Sequence, residues 1–333
     1  SALMPALAQV RPTVIASVPL IMEKVYAGKV RPTFQKNALL RTLYGWNWSR
    51  KLLHKVAGKQ LKKLFGGRMR LFAIGGAKFD SEAERFLKEA GFPYGIGYGL
   101  TETAPLLAGA VGKMVRIGST GPSLEGVEIR LDNVNPATGQ GEIVAKTPCC
   151  MVGYYKNDEA TRNAFTEDGW FRTGDLGSIA KDGWIFIKGR LKNMIVGPSG
   201  ENIYPEDIEE VLNSNPVVAE SVVTEENGKL VALVHFDMAA LAARYDVFKK
   251  MVSDGKEQLG QMVTVSKEQI EQKMEEIKRE LVAYVNAKVN RFSQITKIID
   301  NGCEFEKTPT KKIRRFIYEQ RAKNGFVPDA QLM

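Results

Sequence analysis

Histidine is nearly missing from this chain: His54 and His235 are the only two in 333 residues. A histidine-built metal centre or catalytic triad has almost nothing to draw on. Three cysteines, two of them adjacent at Cys149 and Cys150, give neither a disulfide framework nor zinc-ligand spacing. No apolar run approaches the roughly 18 residues of a membrane span, and no signal-peptide pattern opens the chain. A reducing, cytoplasmic setting is the expectation. Acidic residues are also missing over one long stretch. From Lys24 through Phe79 there is no Asp or Glu against fourteen Lys or Arg, in a chain of net charge +9. Such an excess calls for an anionic partner: a phosphate-rich cofactor, a membrane surface or nucleic acid. No nucleic-acid recognition motif accompanies the charge, so that class is set aside.

What is present is ordinary in amount, with 44% hydrophobic and 26% charged residues and length enough for two domains. One stretch is unusual. Tyr94-Gly95-Ile96-Gly97-Tyr98-Gly99-Leu100-Thr101-Glu102-Thr103 packs three glycines, two tyrosines, a carboxylate and hydroxyls into ten residues. Glycines let backbone approach a ligand, and a ring offers a stacking face. Thr beside Glu offers a phosphate contact next to a metal ligand.

The surrounding pattern supplies a setting. A strand is expected near Val14–Val18 and a helix from Pro19, where proline suits the first turn. Residues 35–65 carry Leu39, Leu43, Leu52, Val56 and Leu61 at helical spacing among basic residues. They read as helices with solvated lysine faces or as a basic amphipathic surface for an anionic membrane. Arg70–Ile74 is a short strand ending at Gly75-Gly76-Ala77. Ser81 begins a capping box for a helix that stops at Gly91, and a second strand then enters the glycine-rich stretch. A parallel strand–helix–strand unit brings both strand ends to one edge, where ligands of such sheets sit.

Further on, Leu176–Ala180 and Trp184–Lys188 flank Asp182-Gly183, a two-residue hairpin signal. That turn sets Lys181 opposite Trp184 and, counting outward, Asp175 opposite Arg190. The pair reads as a surface ion pair or as a carboxylate and guanidinium sharing a ribose. A domain boundary is expected near Lys192, followed by a small α+β unit. Its elements are a helix opening at Pro205, a hairpin across Asn227-Gly228, and a long helix from a Ser266/Gln269 capping box. Ile295–Ile299 gives another strand, and a basic Lys307–Arg315 segment leads to a last helix.

In order along the chain, these segments resemble the adenylate-forming (AMP-forming) acyl-CoA synthetases. They are Tyr98-Gly99-Leu100-Thr101-Glu102, Trp170-Phe171-Arg172-Thr173-Gly174-Asp175, Gly189-Arg190-Leu191-Lys192-Asn193 and Gly200-Glu201-Asn202-Ile203-Tyr204-Pro205. Thr308-Pro309-Thr310-Lys311-Lys312 is similar to the closing lysine motif of the long-chain fatty-acid members. The resemblance implies an α/β fold: a partial large domain over 1–191, holding a parallel αβ unit and a small β-barrel-like subdomain at 118–191. A mobile α+β C-terminal domain over 192–333 would follow. It implies ATP-driven activation of a fatty acid to acyl-AMP, then transfer to CoA. By the same resemblance Lys312 and Thr101 act on the α-phosphate and Glu102 holds Mg²⁺. Gly76, Ala77, Tyr98, Gly99 and Ile187 would surround the adenine, Asp175 and Arg190 would take the ribose, and Gly200 would border the CoA channel. Lys192 would be the hinge. Lys311, beside Lys312, leaves open which ammonium reaches the site. The family's phosphate loop ending in Pro-Lys-Gly has no counterpart here, so the expectation is a portion of a longer enzyme, inactive by itself and with impaired ATP use. An acceptor carrier protein instead of CoA, and a non-catalytic AMP-binding fragment, stay open as alternatives.

Overall fold

The structure, a computed structural model, describes residues 3–197, 200–248, 267–308 and 312–323. It holds two compact units, Ser1–Leu191 and Lys192–Met333.

The first unit opens with α1 (Leu3–Val10), β1 (Val14–Ser17) and α2 (Pro19–Val25), whose first residue is the expected proline. A single π-turn, Tyr26–Val30, leads into α3 (Arg31–Gln35), α4 (Ala38–Gly45) and α5 (Asn47–Leu64). Then come β2 (Leu71–Gly75), α6 (Ser81–Ala90), β3 (Tyr94–Tyr98) and β4 (Ala108–Val111). Strand β2 runs parallel to both β1 and β3, while β4 closes the sheet antiparallel to β3. The cap of α6 is Asp80 rather than Ser81: its carboxylate accepts the Ala83 amide at 2.7 Å, one residue earlier than the Ser81 reading. Gly91 ends that helix at φ +64°, in the left-handed region. Phe65, Phe72, Phe86, Phe92 and Leu87 fill the core between helices and sheet.

The rest of the first unit is a second sheet built from β5 (Glu128–Asn135), β6 (Gln140–Lys146), β7 (Phe171–Ile179) and β8 (Ile185–Arg190), with α7 (Asp158–Asn163) between β6 and β7. The strands lie in sequence order and all pair antiparallel. The barrel expected over 118–191 is not formed: β5 and β8 are outer strands that do not pair. Closure would need a shared tilt and stagger among all strands. Instead the free edge of β8 is met by the chain leaving the first sheet. The Thr120 amide donates to the Ile185 carbonyl at 2.9 Å, and the Ile185 amide to the Gly121 carbonyl at 3.1 Å. The two sheets then share a small core of Tyr98, Leu107, Ala108, Ile143, Ala145 and Ile185.

The second unit has a small β9 (Ile195–Val196) and β10 (Asn202–Ile203) ladder, then α8 (Pro205–Asn213). Its main sheet pairs β11 (Val218–Glu226) antiparallel to β12 (Lys229–Phe236), and β12 parallel to β13 (Lys297–Asp300). The Asn227-Gly228 turn has positive φ at both residues, 51° and 73°, as a two-residue hairpin of this kind requires. Helix α9 (Met238–Arg244) follows β12. Helix α10 (Lys267–Asn286) buries Ile277, Leu281 and Val285 against the sheet, and α11 (Arg315–Lys323) covers its other face. Ser266 of the expected capping box lies outside the described residues.

Candidate functional site

The carboxyl ends of parallel β2 and β3 are in register, Gly75 opposite Gly97. Two turns therefore leave the same sheet edge. One is Gly76-Ala77, exposed, with Gly76 at φ +85° where a side chain would be strained. The other runs from Gly99 into the 3-10 turn Thr101–Thr103. Gly99 admits no substitute: a Cβ there would lie 1.6 Å from the Pro105 carbonyl oxygen. The returning chain presses directly on the backbone, which fixes the direction in which Thr101 and Glu102 leave the strand. Thr103 stabilises the turn, accepting the Leu100 amide on Oγ1 at 3.2 Å.

Around this edge three of the expected residues meet. The Tyr98 hydroxyl donates to Asp175 Oδ2 at 2.7 Å, and Arg190 Nε lies 2.9 Å from Asp175 Oδ1. Asp175 is 5% exposed and Tyr98 9%, whereas the Arg190 side chain is 37% exposed, so a buried carboxylate is paired with a guanidinium that opens to solvent. Burial first, and then the adjacent carboxylate, raise the Tyr98 phenol above its ordinary value, so it remains a donor throughout the physiological range. Ile187 packs against the hydrophobic cluster that holds the Tyr98 ring.

The register that joins Asp175 to Arg190 has an unexpected origin. The turn is three residues, Lys181-Asp182-Gly183, with Gly183 at φ +83° and Ala180 rather than Lys181 opposite Trp184. By itself this shifts the pairing by one residue. A bulge at Lys188, between the Gly177–Ile187 and Leu176–Gly189 pairs, shifts it back. Asp175 and Arg190 are opposite each other because two departures from a simple hairpin cancel.

Residues outside the expected set complete the cluster. Thr173 is buried; its hydroxyl donates to the Ile143 carbonyl at 2.7 Å and accepts the Asp175 amide at 3.1 Å. Its own carbonyl accepts Arg190 Nη1 at 2.8 Å. Glu102 is partly exposed, with its Oε1 accepting the Tyr154 hydroxyl at 2.9 Å and its carbonyl the Met151 amide at 2.7 Å. Tyr154 carries no motif that sequence reasoning could have used, and Thr173 was visible only as a neighbour of Asp175. A lone carboxylate of this kind suits Mg²⁺, which usually takes one or two protein carboxylates and completes its shell with phosphate oxygens and water.

Lys192, Gly200 and Lys312 belong to the second unit. Lys192 is exposed in the 3-10 turn Leu191–Asn193. Gly200, at φ +82°, turns the β9–β10 loop, its amide donating to the Gly197 carbonyl at 2.9 Å. Lys312 is exposed, and its carbonyl accepts the Thr308 amide at 2.8 Å. Lys311 lies outside the described residues.

A family profile described as AMP-binding enzyme matches residues 1–155. The chain is 32% identical over 261 residues to the long-chain-fatty-acid–CoA ligase FadD15 of Mycobacterium bovis, a match covering 72% of the chain and 42% of that protein. Among solved structures it is similar to the anthranilate CoA ligase AuaEII in complex with anthranoyl-AMP, at TM-score 0.66 and 20% identity over 97% of the chain and 52% of that protein. It is also similar to the O-succinylbenzoate coenzyme A synthetase of Bacillus subtilis in complex with ATP and magnesium ion, at TM-score 0.62 and 20% identity over 94% of the chain and 53% of that protein. At such identities the structural likeness speaks for the fold alone. The chain spans about half the length of these proteins or less.

Proposed function

The chain belongs to the AMP-binding, adenylate-forming enzyme superfamily, and from that premise we propose that it carries the adenine-and-ribose side of an acyl-activating site. The overall reaction is proposed for an enzyme of the relatives' length. A fatty acid carboxylate oxygen attacks the α-phosphorus of ATP, the bond to the bridging oxygen breaks, and pyrophosphate leaves. The CoA thiolate then attacks the acyl carbon of acyl-AMP, and AMP departs.

One observation carries the nucleotide assignment: the Tyr98–Asp175–Arg190 cluster beside the Gly99 turn. Asp175, oriented by the Tyr98 hydroxyl and paired with Arg190, is the acceptor we assign to the ribose hydroxyls. Ile187 and the Gly76-Ala77 turn would border the base, and the Thr101 hydroxyl would contact the α-phosphate. Glu102 would hold Mg²⁺, which when bound supplies positive charge to the phosphate oxygens. Lys312 would add an ammonium as two anions are brought together. Fatty acid and CoA are read from the ligase relative and from the Lys312 motif.

Calorimetry tests the reading directly. This chain is expected to bind AMP, and more tightly than ATP, because no Pro-Lys-Gly loop occurs in its 333 residues to cradle the outer phosphates. Asp175→Ala should weaken AMP at least tenfold, while Lys312→Ala should not. AMP binding that survives Asp175→Ala would overturn the assignment. Assaying an enzyme of full family length with free CoA against an acyl-carrier protein separates the two acceptors.

A further inference from the structure

Helix α5 carries apolar side chains on both of its faces. Leu53, Ala57, Leu61 and Leu64 pack inward on the core, while Trp48, Leu52 and Val56 stand 66%, 58% and 52% exposed on the other side. These three recur at i, i+4 and i+8 and form one stripe along the outer side. Trp46, 55% exposed just before the helix, has its ring 6.4 Å from that of Trp48. Lys51, Lys55, Lys59, Lys62 and Lys63 are exposed along the same side, and among the described residues none of them makes an ion pair. The helix's arginine, Arg50, is engaged elsewhere, bonding Glu89 of α6 at 2.8 and 3.1 Å.

We propose that the outer face of α5, with Trp46 at its head, docks on the surface of an anionic lipid bilayer. Charge complementarity selects this occupant. A protein partner covering the stripe would have to neutralise five lysines at once. A bilayer takes the apolar side chains into the acyl boundary and meets the ammonium groups with phosphate. Tryptophan favours that boundary because its ring is apolar and its N–H remains hydrated. Lysine stems lie along the apolar stripe while their heads reach the phosphate layer. Chain composition agrees, since no acid interrupts Lys24–Phe79 to repel the surface. The face is far too polar to span, and no helix among the described residues is long and apolar enough to cross a membrane. The proposal stands apart from the nucleotide reading and would survive its failure.

The test uses the chain with vesicles of phosphatidylglycerol and phosphatidylcholine against vesicles of phosphatidylcholine alone. Binding is expected only to the anionic vesicles, weakening as salt is raised. Tryptophan emission should shift to the blue and be quenched by brominated acyl chains. Trp170 and Trp184, each stacked under an arginine, serve as references that stay unquenched. Lys55→Gln and Lys59→Gln should each weaken binding roughly five-fold. Trp48→Ser with Leu52→Ser should reduce the blue shift, leaving only the part that Trp46 reports. All four positions are exposed, and circular dichroism checks that the variants fold; the quenching measurement needs no variant. Equal affinity for both vesicle types, or unchanged binding by the lysine variants, would refute the proposal. So would self-association through Trp48, or binding to duplex DNA, without vesicle binding.

Discussion

Asp175 gathers the candidate site because three different elements supply its neighbours: Tyr98 from the end of β3, Arg190 from β8, and Thr173 from its own strand. A buried carboxylate holds its charge only with such partners. Lys312 is a different kind of residue, exposed and held through backbone bonds to Thr308. Its proposed value lies in one step only. Lys312→Ala in an enzyme of full family length should slow adenylation by about 10²–10³ and leave thioester formation from supplied acyl-AMP near normal; rapid-quench assays of each half-reaction read the split. His54 gives a residue-level test of stability. It is 1% exposed, its Nε2 lies 3.1 Å from the Tyr44 hydroxyl, and its Nδ1 lies 2.9 Å from Glu89 Oε2. Burial outweighs the Glu89 charge and lowers the imidazole below its ordinary value near 6.5. The unfolded chain therefore takes up this proton first on acidification. The stability it contributes is full above about pH 6.5 and declines below it. Thermal melts of the first unit should fall in midpoint between pH 7 and pH 5, and His54→Gln should flatten that slope.

Helix α5 meets α6 closely enough that a Cβ on Gly58 would lie 2.6 Å from the Ala90 Cβ, and the Arg50–Glu89 pair clamps the same contact. In the second unit α8 is tied to α11 by a buried ion pair between Glu209 and Arg315, and Glu209 Oε1 also accepts the Val223 amide at 2.6 Å. Burial raises the Glu209 carboxyl, with Arg315 acting against it. Arg315 stands three residues beyond Lys312, so the pair anchors the chain just after that lysine. Breaking a buried pair from one side leaves an uncompensated charge. Arg315→Met should cost the second unit about 3–5 kcal/mol in chemical denaturation, and replacing both partners by Met should recover much of it. The cap of α6 and the hairpin at Asp182 both depart from their local signals. Asp80 and Ser81 are both good caps, and nothing local chooses between them. Asp-Gly signals a two-residue loop, whereas the strands accommodate three residues and a compensating bulge.

At the scale of the molecule, the chain divides at Leu191 and Lys192 into two units with separate cores. If Lys192 is the hinge proposed from the family resemblance, fixing its φ should separate the half-reactions. Lys192→Pro in an enzyme of full family length is expected to retain pyrophosphate release and lose most acyl-CoA formation; normal CoA turnover would remove the hinge. The sequence by itself determined the parallel β2–α6–β3 unit, the Asn227-Gly228 hairpin and the family, because periodicity, capping and glycine signals act over a few residues. Tertiary structure decided the rest. It left the second sheet open instead of closing it, since the Thr120–Gly121 segment took the edge of β8. It brought Tyr154 to Glu102 across 52 positions and buried Tyr98 against Asp175 across 77. It also turned the Trp48 stripe outward, although a period of 3.6 reads the same on either face of a helix. Contacts of that range depend on which surfaces meet, and no local pattern carries that information.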